Sequence, residues 1–152
     1  MSAELRARHC LTLEASVGAP IESGDSGRGR RRCIPLLGGR FTGDLQGELI
    51  PGGLDWQTVL SDGSVELSAH YALRTDDGAV IEVTSVGVRH AAPDVLSRIE
   101  RGESVSVDEY YFRTQMRWHT GAPHLARWNH VLLVARGERL ARVVRLDVFE
   151  IE

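Results

Sequence analysis

Apolar and polar side chains alternate along several segments of the chain, which is the pattern of β-strands with one buried face. In HCLTLEASV, residues 9–17, every second position from Leu11 to Val17 is apolar, and SVELSAHYALR, residues 64–74, alternates in the same way. Further segments are rich in β-branched and aromatic residues, which favour strands. These segments are residues 79–89, 109–118, 130–137 and 140–152.

Short turn signals separate the predicted strands. Gly52-Gly53 marks a bend, and APDVLSRIERGE, residues 92–103, breaks the alternation. A proline near its start, apolar residues at helical spacing and a glycine near its end predict one short helix there. Three dipeptides have the composition of hairpin turns: Asp62-Gly63, Asp77-Gly78 and Arg136-Gly137.

Eight to ten strands with short turns and one helix predict an all-β fold, an antiparallel barrel of the calycin or lipocalin kind. We expect one domain over residues 1–152, with a flexible loop at residues 22–32, where Gly, Ser and Arg dominate. A barrel is favoured over a sandwich because closure removes exposed strand edges. A barrel of about eight strands is either filled by side chains or holds one small ligand.

Composition excludes several classes of protein. The chain is 42% apolar and 26% charged with a formal net charge of −3, which argues against a nucleic-acid groove and against a membrane-surface anchor. No apolar run approaches the roughly 20 residues that a membrane helix needs. No secretory signal is visible, and the two isolated thiols, Cys10 and Cys33, fit a reducing cytoplasm. All 18 basic residues are arginine, which points to a GC-rich bacterial genome. No nucleotide or cofactor motif is present, so we expect no cofactor.

Asp55 and Trp56 stand side by side in GGLDWQTVLSDG, between two glycine-containing turns. In one interpretation, Trp56 plugs an end of the barrel while Asp55 caps the Gly-Gly turn. In the other, both side chains face a cavity, with Trp56 as a stacking wall. Asp55 is then a proton acceptor or hydrogen-bond anchor whose pKa is raised by desolvation. The local sequence leaves both interpretations open.

The densest polar and aromatic segment is EYYFRTQMRWHTGAPHLARWNH. If residues 110–118 form one strand, Tyr111 and Arg113 share one face, and Phe112 and Trp118 share the other. The sequence does not decide which face is inward. An arginine among aromatic residues can bind a carboxylate or an enolate, which makes Arg113 a candidate site residue.

Three of the chain's six histidines also lie in this segment: His119, His124 and His130. Their spacing matches no metal-binding motif, so we predict no metal site. His119 is a candidate proton carrier because an ordinary histidine pKa lies near neutrality.

The chain resembles domain of unknown function 3237, also called uncharacterised protein family 0311. The resemblance rests on IPLLGGRFTGDLQGELIPGGLDWQTVLSDG, AHYALRTDDGAVIEVTSVGVR, YYFRTQMRWHTGAPHLARWNHVLLVARG and the ending RLDVFEI, which together cover nearly the whole chain. The Gly-Gly-x-Asp-Trp and Tyr-Phe-Arg-Thr elements make it specific.

This resemblance implies a compact antiparallel barrel, often with an internal pocket, and no agreed reaction. His119 stands where the family usually has a glutamate. Because Asp55-Trp56 recurs as a unit in the family, the resemblance favours Trp56 facing the interior. The family pattern marks Gly52, Gly53, Asp55, Trp56, Asp62, Gly63, Tyr71, Asp77, Gly78, Gly87, Arg89, Tyr111, Phe112, Arg113, Thr114, Trp128 and Asn129.

Three functions remain open at this point. The first is a cofactor-free enzyme that moves a proton on a small apolar or aromatic carbonyl or carboxylate compound, as an isomerase, cyclase or lyase. The second is a lipocalin-like binding protein for such a molecule. The third is a filled barrel that acts as a structural homodimer. In the enzyme, Asp55 or His119 would move the proton. The developing oxyanion would be held by Arg113, Tyr111 and Asn129. Water would be excluded by Trp56, Trp118 and Phe112, and Tyr71 would contact the ligand.

Overall fold

The computed structural model describes residues 3–152. Within that range, nine antiparallel strands follow the order β1-β9-β8-β7-β6-β5-β4-β3-β2, and β1 also pairs with β3. Eight strands therefore close into a barrel with β2 outside it, and the predicted antiparallel barrel is confirmed. The strands are β1 (Ala7–Val17), β2 (Ile21–Asp25), β3 (Arg30–Gly43), β4 (Gly47–Val59), β5 (Val65–Thr75), β6 (Val80–Ala91), β7 (Tyr110–His119), β8 (Leu133–Arg139) and β9 (Val143–Ile151).

One end of the barrel is filled with large side chains. Trp118 is 2% exposed and packs against Trp128, with ring centroids 4.9 Å apart. Phe41, Leu73 and Leu133 are each at most 1% exposed. This dense packing closes the end that carries the β3–β4 and β5–β6 turns, so any cavity has to lie towards the other end.

The predicted helix forms as α1 (Pro93–Glu100) and packs at that other end. Its apolar face buries Val95, Leu96 and Ile99. Two 3₁₀ helices, Val107–Glu109 and Pro123–His130, flank β7. No helix in the described part of the chain is long and apolar enough to cross a membrane.

The predicted loop at residues 22–32 contains strand structure instead. β2 pairs with the first residues of β3, and the Arg30 Nη1 atom lies 2.5 Å from the Glu22 Oε1 atom. The backbone N–H of Gly27 donates to Asp25 Oδ1 at 2.7 Å and closes the turn. A polar sequence can pair as a strand here because every residue of β2 is exposed and needs no buried face.

The hairpin predicted at Arg136-Gly137 is also wrong. Gly137 lies inside β8, and the turn to β9 follows at residues 140–142. A Cβ atom on Gly137 would lie 2.6 Å from the ring of Phe112. The glycine therefore makes room for an aromatic side chain within the barrel wall. Asp62-Gly63 and Asp77-Gly78 do form turns, with positive φ at both glycines.

Candidate functional site

A cavity of about 550 Å³ occupies the barrel end nearest α1. It reaches the surface there, since the lining residues Leu37 and Arg142 are exposed. The connection from β1 to β2 and the turn from β8 to β9 complete this end of the lining. The alternative of a barrel filled by its own side chains is therefore wrong.

The cavity has an aliphatic wall and a polar wall. The aliphatic side chains come mainly from β1, β3 and β9, and polar side chains come from β4 to β7. Charged side chains from β3, α1, β8 and the β8–β9 turn complete the lining. A ligand that fits this space has one apolar side and one side that forms hydrogen bonds. The aliphatic wall includes Leu13, Ala15, Ile34, Leu36, Val144 and Leu146, and the polar wall includes Asp55, Gln57, Tyr71, Ser85, Arg89 and Thr114.

A chain of hydrogen bonds fixes the polar wall to α1. Asp55 Oδ2 accepts from Gln57 Nε2 at 2.8 Å, and Gln57 Oε1 accepts from Arg32 Nε at 2.9 Å. The two terminal nitrogens of Arg32 donate to the Glu100 carboxylate at 3.1 and 2.9 Å. Arg32 and Gln57 are each 4% exposed. The geometry therefore fixes one oxygen of Asp55 and leaves the other free.

Four polar atoms around the cavity are buried and have no hydrogen-bond partner in the described structure. Buried polar groups are nearly always bonded, and leaving one unbonded costs about 1–3 kcal/mol. Because four such atoms face one space, this cavity is the candidate site. The atoms are Asp55 Oδ1, Tyr71 Oη, Arg89 Nε and Thr114 Oγ1.

Small inward-facing residues leave space next to Asp55. Asp55 is in register with Ala69 on β5, which is in register with Ser85 on β6. The next inward position of β6 is Gly87, where a Cβ atom would lie 2.1 Å from the backbone oxygen of Arg113. Close approach of β6 and β7 thus requires glycine. The row of small residues keeps the space in front of Asp55 open.

A bulge in β4 positions Asp55 relative to Tyr71. The register shifts by two residues between Ile50 and Leu54, so β4 carries two more residues than β5 there. A Cβ atom on Gly53 would lie 2.5 Å from Tyr71 Cβ, so only glycine fits. Because two extra residues preserve the alternation, Asp55 still faces inward.

Burial shifts the pKa values of the cavity's titratable groups. Desolvation is the main cause that raises the pKa of Asp55, although Gln57 and Arg89 oppose it. Burial, followed by the charge of Asp55, raises the pKa of Tyr71. Desolvation lowers the pKa of Arg89 to about 10, so this guanidinium is still cationic at neutral pH. The site thus combines a carboxyl group that is poorly disposed to ionise with a fixed positive charge.

Trp56 does not face the cavity, and the prediction that it would is wrong. Its side chain is 39% exposed, and the guanidinium of Arg31 lies 5.4 Å from its ring centroid. Successive residues of a strand point to opposite faces, so Asp55 and Trp56 cannot both point inward within the regular part of β4.

The inward face of β7 carries Phe112 and Thr114, which line the cavity. The other face is outward, so Tyr111 is 53% exposed and Arg113 lies 4.8 Å over its ring. His119 is exposed on this outer face. The expectation that Tyr111, Arg113 and His119 contact a ligand inside the barrel is therefore wrong.

Two further candidates lie at the filled end. Trp118 points inward but packs against Trp128, away from the cavity lining. Asn129 Oδ1 accepts from the backbone N–H of Thr120 at 2.8 Å, and Asn129 Nδ2 donates to the Thr120 carbonyl at 2.9 Å. Asn129 thus fixes a loop, and neither side chain reaches the cavity. Of the predicted site residues, the structure brings together Asp55, Tyr71 and Phe112.

Sequence reasoning gave the arginines of the cavity no role in the site, although the family pattern marks Arg89. Arg89 lies on the face of β6 that also carries Ile81 and Val83, and it is only 3% exposed. The available signal was a charged residue on the same strand face as buried apolar residues. The described residues contain no cluster of three or more His, Cys, Asp or Glu side chains suited to a metal ion.

The family profile "Protein of unknown function (DUF3237)" matches residues 5–151. The chain belongs to this DUF3237 family. A curated DUF3237 relative, the UPF0311 protein of Rhodopseudomonas palustris, is 37% identical and aligns over 99% of both chains. The resemblance stated from the sequence is confirmed, and UPF0311 is the second name of the same family.

Solved structures share this DUF3237 fold. A conserved protein of unknown function from Rhodopseudomonas palustris has a TM-score of 0.95 at 36% identity, with complete coverage of both chains. A β-barrel-like protein from Acinetobacter baumannii has a TM-score of 0.86 at 30% identity, over 100% of this chain and 99% of that one. A protein described as an enzyme from Penicillium herquei has a TM-score of 0.73 at 19% identity, over 100% and 98%. The last similarity concerns the fold alone.

Proposed function

We propose that the protein is a cofactor-independent enzyme that transfers a proton within a small, largely apolar molecule bearing a carbonyl or carboxylate group. The observation that carries this proposal is the convergence of four unpartnered, buried polar atoms on one cavity. The reaction classes that need only such groups are isomerisation, cyclisation and elimination.

Asp55 is the proton carrier in this proposal. Its Oδ2 atom is held by Gln57, while Oδ1 is buried and has no partner among the described residues. A carboxyl group with a raised pKa is a stronger base when ionised, and its pKa lies closer to neutral pH, where general acid–base catalysis is most effective. Asp55 Oδ1 takes a proton from the carbon next to the substrate carbonyl and returns it to another atom of the same molecule.

Tyr71 and Thr114 stabilise the negative oxygen that forms when the proton leaves, and Arg89 adds a positive charge to the same cavity. The electron pair of the broken C–H bond moves onto the carbonyl oxygen, which becomes an enolate. Tyr71 Oη and Thr114 Oγ1 are unpartnered donors that face the same space. Donors held in place before the reaction need no reorganisation, which is why such groups contribute strongly to catalysis.

Shared architecture supports the proposal at a coarser level. The fold is one on which a protein described as an enzyme is also built. The aliphatic wall and the densely packed end keep bulk water from a bound apolar molecule, which strengthens electrostatic interactions with it.

The test is a time course with a bacterial metabolite extract, read by mass spectrometry for both protein-bound and free compounds. We expect one compound to be consumed while an isomer or an elimination product appears. Asp55→Asn is expected to reduce this turnover by about 10²- to 10⁴-fold. Asp94→Asn, at an exposed position of α1, serves as the matched control and is expected to retain full rate.

Two outcomes contradict the enzyme. A compound retained at one per chain without change indicates the binding protein that the sequence left open. Full turnover by Asp55→Asn removes the proposed role of that carboxyl group.

A further inference from the structure

The cavity carries an excess of positive charge within a chain whose formal net charge is −3. Its lining includes two carboxylates, Asp55 and Glu100, against four guanidinium groups. Clustered like charges repel one another, most strongly where solvent is scarce. An arrangement of this kind favours an anion inside the cavity. The four arginines are Arg32, Arg89, Arg139 and Arg142.

Arg32 and Arg89 differ in how far their hydrogen bonds are satisfied. Arg32 donates from all three of its nitrogens, to Gln57 and to Glu100. Arg89 is 3% exposed, its Nε atom has no partner among the described residues, and its Nη2 atom lies 3.5 Å from Glu100 Oε1. Arg89 Nε is therefore free to donate, and the Nε–Nη2 edge, which Glu100 approaches at Nη2, has the spacing of a carboxylate.

Arg139 lines the same cavity as Arg89. Desolvation is the main cause that lowers the pKa of each guanidinium, and the charge of Arg139 also lowers the pKa of Arg89. The Nη1 atom of Arg139 donates to the backbone oxygen of Leu140 at 2.8 Å. No carboxylate of the described residues lies within 4 Å of the Arg139 guanidinium. Glu100 is thus shared by Arg32 and Arg89, and Arg139 lacks an anion of its own.

We propose that the ligand is a small organic carboxylate whose anionic group binds at Arg89 and Arg139, near α1, while its apolar body lies along the aliphatic wall. This inference rests on the proposed function, because it names the class of molecule that enters the same cavity. Asp55 lies level with Ser85 on β6, because both residues are in register with Ala69 on β5. Arg89 lies two inward positions further along β6, after Gly87, towards α1. The carboxylate and the reacting carbon are accordingly separate parts of the substrate.

Binding of two probes that differ only in charge tests this inference. The probes are 3-phenylpropionate and its neutral amide, 3-phenylpropionamide, and their affinities are measured by ligand-observed NMR titration. We expect the carboxylate to bind at least about tenfold more tightly than the amide, as a charge-assisted pair requires. Arg139→Gln is expected to remove most of that preference.

Arg117→Gln is the matched control, because Arg117 is an exposed arginine on the outer face of β7. It is expected to keep the preference for the carboxylate. If Arg139→Gln does not fold, as judged by its thermal unfolding, Arg139→Lys replaces it, since lysine keeps the positive charge but lacks the planar fork that binds a carboxylate, and we expect it to weaken the preference.

Three results overturn the inference: equal affinity for both probes, tighter binding of the amide, or an equal loss of preference in Arg117→Gln. The turnover assay decides whether the proposed enzyme fails together with this inference. If a neutral metabolite is turned over in an Asp55-dependent way, the proposed function stands and the carboxylate inference alone fails. If nothing is turned over and neither probe binds, both fail.

Discussion

At the scale of single residues, the site depends on the two oxygens of Asp55 having different environments. Gln57 binds one oxygen, and the other is buried and unpartnered in the described structure. The sequence pointed to Asp55 but could not separate its side chain from that of Trp56. Strict alternation along β4 places Trp56 outside, and the family resemblance favoured the opposite orientation.

Asp55→Asn is expected to unfold at a higher temperature than the original protein at pH 7. Because the pKa of Asp55 is raised above the ordinary value of 3.8, the folded state binds this proton more tightly than the unfolded state. Ionised Asp55 therefore reduces stability as pH rises above that value. The difference in Tm between the two proteins should shrink as pH falls towards 3.8. A lower Tm for Asp55→Asn at pH 7 would contradict this account.

Trp56→Ala is expected to lower the free energy of unfolding by about 1–2 kcal/mol and to leave ligand retention or turnover unchanged. The side chain is 39% exposed and the guanidinium of Arg31 lies over its ring, so only partial packing is lost. Urea unfolding measures the first effect, and the metabolite assay measures the second. Loss of ligand retention in Trp56→Ala would contradict this placement and indicate that Trp56 contacts the ligand.

At the scale of elements, glycines inside strands shape the site as much as the glycines of turns. Gly53 and Gly87 each permit a close backbone approach next to a cavity residue, and Gly137 makes room for Phe112. Sequence reasoning treated Gly137 as a turn because glycine is typical of both situations. Only strand pairing distinguishes them, and strand pairing depends on residues distant in the sequence.

Gly53→Ala is expected to destabilise the protein by about 1–3 kcal/mol, because the added Cβ atom would lie 2.5 Å from Tyr71 Cβ. The matched control is Gly121→Ala, where nothing lies within 4 Å of the added atom. Chemical unfolding of both variants measures the difference, and we expect the control to change stability by less than about 0.5 kcal/mol. Equal effects at the two positions would remove the steric explanation.

Glu100→Gln is expected to lower the free energy of unfolding by about 0.5–1.5 kcal/mol at pH 7, because α1 loses its charged hydrogen bonds to Arg32 and the two arginines lose their counter-charge, while solvent screens the half-exposed carboxylate. The hydrogen bond from Arg32 is the first cause that holds the pKa of Glu100 below its ordinary value of 4.5. The stabilisation is therefore fully present above that value and is lost as pH falls below it.

Unfolding curves recorded across that pH range measure this loss, with Glu103→Gln as the control for an exposed ion pair. The gap between the original protein and Glu100→Gln should close in acid. A gap that stays constant with pH would show that the carboxylate charge is not its cause.

At the scale of the whole molecule, alternation and turn signals predicted the closed antiparallel barrel and the position of its helix. They did not predict which face of β7 is inward, because both faces carry aromatic residues. They also did not predict the cavity's arginines, since Arg89 on β6 and Arg139 on β8 are brought to one end by the pairing of both strands with β7, which alternation alone does not specify. A homodimer stays a prediction.

The central claim is that the four unpartnered atoms around the cavity belong to a binding site for a small molecule. The most direct measurement is a high-resolution crystal structure of the protein after incubation with a bacterial metabolite extract. We expect electron density for a bound organic molecule within hydrogen-bond distance of Asp55 Oδ1 and Arg89 Nε. A cavity that contains only ordered water bonded to these atoms, or side chains that bond to one another across it, would contradict the claim.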